Sequence, residues 1–86
     1  MRRSALVINE RDGVAVALSD IEAGDEIELP GGVVLLAIAA IPCGHKVAIF
    51  DLVGGEQVLK YGEVIGRAAC VIKAGDWVHT HNMETA

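Results

Sequence analysis

The 86 residues carry seven lysine and arginine side chains against twelve aspartate and glutamate, a net charge of −5. That balance argues against a nucleic-acid partner, whose phosphates need a basic face. A chain this short buries only roughly 60–65% of the surface it exposes when unfolded, yet 52% of its residues are hydrophobic. The surplus predicts an oligomer or a second subunit covering an apolar face.

Met1-Arg2-Arg3 has the charge of a signal n-region, but the apolar segment behind it ends at Asn9, so no signal peptide is expected. Residues 5–8 and 14–18 are short apolar runs, and Asp12-Gly13 between them is a strong turn signal. Acids crowd at Asp20, Glu22, Asp25, Glu26 and Glu28, which reads as a solvated edge. Glu26-Ile27-Glu28-Leu29 alternates as a half-exposed strand should. Pro30-Gly31-Gly32 then turns the chain into residues 33–39. The longest apolar run, residues 33–41, is too short to span a bilayer, which takes ~20 residues.

Cys43 and Cys70 have no zinc spacing, and a cytoplasmic chain with free thiols is the simpler account. A Cys43 thiolate beside Gly44-His45-Lys46 is a weaker candidate nucleophile. No window shows a 3.6-residue period with caps at both ends, and ten glycines cut the chain into short strands. One short helix near residues 65–69 is the most that is expected. The predicted architecture is therefore mainly all-β, one compact, strongly bent domain over residues 1–86.

A corner recurs within it. Ile21-Glu22-Ala23-Gly24-Asp25-Glu26-Ile27, Leu52-Val53-Gly54-Gly55-Glu56-Gln57-Val58 and Ile72-Lys73-Ala74-Gly75-Asp76-Trp77-Val78 share one form. An aliphatic residue enters, a glycine turns with positive φ, an acid bonds amides just after it, and an aliphatic residue leaves. Uneven spacing excludes a solenoid.

The histidines fall in two places. His79 and His81 are two apart, and on an extended strand they would point the same way, next to Asn82. His45 lies in Pro42-Cys43-Gly44-His45-Lys46. Three neutral imidazoles with an open position could ligate a divalent ion. They could equally bond substrate, act as acid and base, or pin the terminal strand through backbone carbonyls. No carboxylate except Asp76 accompanies them, and iron sites often include one.

Three segments taken together carry a resemblance: Gly44-His45-Lys46, Lys60-Tyr61-Gly62-Glu63-Val64-Ile65-Gly66, and Val78-His79-Thr80-His81-Asn82. In this order and at these intervals they resemble the amino-terminal SAF domain of the altronate and galactarate dehydratases. The resemblance runs from about Ile8 to the end. It implies a β-clip fold and lyase chemistry on sugar acids or related 2-hydroxy acids, with hydroxide or sulfite expelled. It also implies a split arrangement, in which a small subunit pairs with a separate large catalytic subunit. Iron or manganese is the divalent metal implied, with His45, His79 and His81 as its candidate ligands. Catalytic roles then fall to His45, His79, His81 and Tyr61. Binding of a small anionic substrate falls to Lys46, Lys60, Arg67 and Asn82. Each has a plainer reading: solvated lysines and arginine, a half-buried tyrosine, an asparagine that caps a strand end. The alternative from another class is a non-catalytic SAF-type module that binds a carbohydrate or a partner. A stand-alone metal binder is a third.

Overall fold

Strands form where short apolar stretches lie between glycine corners, too short for a helix and β-branched enough to pair. The computed structural model describes residues 1–86 and contains nine strands and no helix. They are β1 (Arg2–Leu6), β2 (Val14–Ala17), β3 (Glu26–Glu28), β4 (Val34–Leu36), β5 (Lys46–Ala48), β6 (Gln57–Lys60), β7 (Glu63–Ala68), β8 (Trp77–Val78) and β9 (Met83–Thr85). One sheet has the order β4-β3-β1-β2-β5-β8 and the other β6-β7-β9. The all-β expectation holds, and these short curled sheets are those of a small β-clip domain.

Two local expectations fail. The short helix at residues 65–69 is strand β7, paired with β6 on one side and β9 on the other. Gly66 explains why: a Cβ there would collide with the Glu84 carbonyl, so the missing side chain admits β9. The acidic stretch is also more than a solvated edge. Arg2 and Arg3 open β1, which runs parallel to β3. Arg2 pairs with Glu26 and Glu28, while Arg3 and the N-terminal ammonium both reach the buried Asp25.

The corners belong to a larger repeat. Ile21 bridges Ile41 as Leu52 bridges Ile72, so each partner is displaced by 31 (52 − 21 and 72 − 41). Gly24 N–H donates to Ala37 O as Gly55 N–H does to Ala68 O; Gly44 N–H donates to Ala17 O as Gly75 N–H does to Ala48 O. Even the Asp20 bond to Cys43 N–H recurs as Asp51 to Ala74 N–H. Each copy builds its own core, one around Ile21, Ile27, Ile41 and Val47, the other around Leu52, Val58, Ile72 and Val78. The corner glycines do take positive φ. The acids act differently than expected: Asp25 and Glu56 bond the amide three residues before them, and only Asp76 bonds the one after.

Asp12 does long-range work that its turn position conceals. Its carboxylate is buried and accepts N–H bonds from Gly62 at 2.8 Å and Tyr61 at 2.9 Å, besides Asn9 at 3.3 Å. Tyr61 and Gly62 are the two central residues of the β6–β7 turn, both with positive φ. Burial works to raise the Asp12 pKa, but the N–H groups of Gly62, Tyr61, Asn9 and Ile8 outweigh it and hold the group below its ordinary 3.8. The folded value being the lower, this contribution is complete above pH 3.8 and is lost as pH falls through the folded value. Asp12→Asn leaves only one accepting oxygen and should cost about 2 kcal/mol in urea unfolding at neutral pH. An unchanged midpoint would remove Asp12 as the anchor of this turn.

Candidate functional site

The β5–β8 ladder assembles the centre. Lys46 lies opposite Val78 and Val47 opposite Trp77, so continuing the register puts His45 opposite His79. Their ring centroids are 5.0 Å apart. At a displacement of 31 these positions match Val14 and Ala48, a buried apolar pair of the β2–β5 ladder. Two imidazoles thus replace aliphatic core at one end of the second copy.

His79 and His81 do not share a strand. β8 ends at Val78, and residues 79–82 form a turn. Both rings nevertheless meet on Trp77. The indole stacks on His79 with centroids 5.2 Å apart and planes within 10°, and contacts His81 at 5.1 Å. It also lies 5.7 Å from the His45 ring, and its Nε1–H donates to His45 Nδ1 at 3.2 Å. His45 and His79 are half-buried and His81 is exposed. Trp77 is the residue the sequence reading missed. Its signal was there: alternation places residues 77 and 79 on one face.

Asn82 is structural. Its Oδ1 accepts from His79 N–H and its Nδ2 donates to Trp77 O, both at 2.9 Å, and the side chain is buried. With both ends bonded to backbone, it closes the histidine turn.

The electrostatics are cationic in an acidic molecule. Burial, then the charges of His45, Lys46 and His81, push the His79 pKa below its ordinary 6.5. Burial and the Lys60 charge push Lys46 below 10.5. Lys60 ends β6, with its ammonium 5.1 Å over the Tyr61 ring. Tyr61 is exposed, so it is no core tyrosine. Arg67 stands apart: it donates to Gly55 O at 3.0 Å and lines a separate cleft with Glu84 and Thr85. Cys43 and Cys70 are exposed free thiols.

A three-histidine ion site does not fit. No three His, Cys, Asp or Glu side chains gather as the ligand set of an ion, and Trp77 already occupies His45 Nδ1. No helix is long and apolar enough to cross a membrane.

Residues 3–86 match the altronate/galactarate dehydratase SAF domain. The chain is 42% identical to altronate dehydratase of Escherichia coli strain K12 over 78 residues, 91% of this chain but 16% of that enzyme. It is 49% identical to (2R)-sulfolactate sulfo-lyase subunit alpha of Paracoccus pantotrophus over 51 residues, 59% of this chain and 76% of that subunit. The Chromohalobacter salexigens subunit alpha is 52% identical over 46 residues, 54% of this chain and 49% of that subunit.

Proposed function

Since the chain belongs to the SAF-domain family of the altronate and galactarate dehydratases, we propose that it forms one wall of a two-component lyase acting on a 2-hydroxy acid. A large catalytic partner forms the other wall. The observation that carries this reading is the meeting of His45, His79 and His81 on one indole, within the field of Lys46. A domain of 86 residues with an open imidazole face offers part of a site but no closed, dry pocket. Exposed Leu18, Leu36, Phe50 and Val71 support a covering partner.

The chemistry follows from the groups. His79, held toward its neutral form, takes the proton α to the substrate carboxylate. The electron pair left behind forms the new carbon–carbon double bond as the β substituent departs with its own pair. Lys46 and Lys60 hold the carboxylate and the charge that develops on it. Tyr61 gives its phenolic proton to a departing hydroxide; a departing sulfite needs none. Iron or manganese, where the assembled enzyme uses one, would be held by partner groups. The chain works in the cytoplasm, where sugar acids and sulfonates are broken down.

Co-expression with the large partner, followed by assay on altronate, galactarate and (2R)-sulfolactate, tests this. Turnover of at least one acid by the pair, and of none by either chain alone, is expected. Binding without turnover of any of them would make the chain a recognition module instead. A second test uses pH. A base whose pKa lies below 6.5 stays unprotonated to lower pH, so the acid limb of kcat/KM should have its midpoint below 6.5. Lys46→Met removes one depressing charge and should move that limb upward. A limb at or above 6.5 in the unsubstituted pair would take the base role from His79.

A further inference from the structure

An indole N–H can donate and cannot accept. The Trp77 Nε1–H donates to His45 Nδ1, so that nitrogen must carry a lone pair. In neutral His45 the ring proton is then on Nε2. We propose that Trp77 is a positioning residue that fixes His45 as the Nε2–H tautomer, so His45 meets an anionic ligand as a hydrogen-bond donor and not as a base.

The same indole orients the complementary group. His79 lies parallel against its face, 5.2 Å away, with its ring 5.0 Å from that of His45. One side chain therefore sets a donor imidazole beside an acceptor imidazole. That division also accounts for the misfit of a three-histidine ion site, because the nitrogen that would face the ion already bears a proton. In turnover, which rests on the lyase reading above, His45 gives a hydrogen bond to a carboxylate or enolate oxygen and transfers no proton. The α proton goes to His79.

The test is long-range nitrogen–proton NMR on the labelled chain at about pH 8, where ordinary imidazoles are neutral. His45 is expected with a bare Nδ1 and a protonated Nε2. Trp77→Phe keeps an aromatic ring against His79 and removes only the donor. It should shift the His45 tautomer ratio about fivefold toward Nδ1–H. Finding Nδ1–H in the unsubstituted chain, or an unchanged ratio in Trp77→Phe, would overturn the proposal. If Trp77→Phe does not fold, the unsubstituted spectrum still decides: a bare Nδ1 with the indole proton shifted downfield supports it, and an indole proton at its free position refutes it. The two readings fail separately. An Nε2–H His45 in an assembly inactive on all three acids would end the lyase reading alone, and an Nδ1–H His45 in an active assembly would end this one alone.

Discussion

His79→Ala is expected to lower kcat of the assembled enzyme about a hundredfold to ten-thousandfold, the usual worth of a positioned general base. Its ring is half-buried, stacked on Trp77 and held toward the neutral form. Beside that indole an alanine leaves only the exposed His81 as a replacement acceptor, because the His45 Nδ1 lone pair already takes the Trp77 N–H. His81→Ala should therefore cost much less, and the contrast between the two is informative. The turn itself should survive, because Asn82 bonds the backbone N–H of residue 79 and not its ring. Steady-state kinetics at saturating partner, with a thermal melt to confirm folding, make the comparison. A loss under tenfold for His79→Ala would leave the reaction without the base assigned here.

Gly75→Ala should destabilise the chain by about 3 kcal/mol or more, among the larger effects of single substitutions. Gly75 has φ +89°, and a Cβ there would run into the Leu36 carbonyl oxygen. The left-handed conformation alone costs an alanine about 1–2 kcal/mol. The clash adds to that, because its target is backbone and cannot swing aside. Moving it would disturb Ala37 and Ile38, whose amides bond Asp25 O and Gly75 O. The repeat supplies an internal control. Gly44 is the matching corner glycine (75 − 44 = 31), with φ +82° and open space where its Cβ would stand. Gly44→Ala should thus cost only the conformational part, about 1–2 kcal/mol. Urea unfolding of both variants checks this. Equal losses would mean that the close approach of residues 36 and 75 does not matter.

The same repeat explains what could be read from the residues and what could not. Three corners were visible because an acid follows each glycine: Asp25, Glu56 and Asp76. The fourth, residues 41–47, makes the same bonds, but His45 stands where the acid should be. A local rule broken at one copy of a repeat is a place to look for function. The substitution that hid the fourth corner is the one that sets an imidazole opposite His79. The same holds further out. The first copy has an apolar groove lined by Leu29, Pro30, Val33 and Phe50. At a displacement of 31 these become Lys60, Tyr61, Val64 and His81.

Other features lay beyond local pattern. The meeting of His45 with His79 depends on a ladder between strands about thirty residues apart, which no window of sequence contains. The reach of Asp12 to Tyr61 and Gly62 crosses 49 and 50 residues. Asn82 reads as a substrate contact because it follows two histidines, and only the geometry of the turn reveals the two backbone bonds its side chain makes. The strand pairing of residues 65–68 was masked because Ile65, Arg67 and Ala68 are all tolerated in a helix.

The most direct test is a crystal structure of the chain assembled with its large partner and an unreactive 2-hydroxy acid analogue. The bound acid is predicted to rest with an oxygen at about 3 Å from His45 Nε2 and its α carbon facing the His79 ring. An analogue seated in the assembled enzyme away from all three imidazoles would contradict the account.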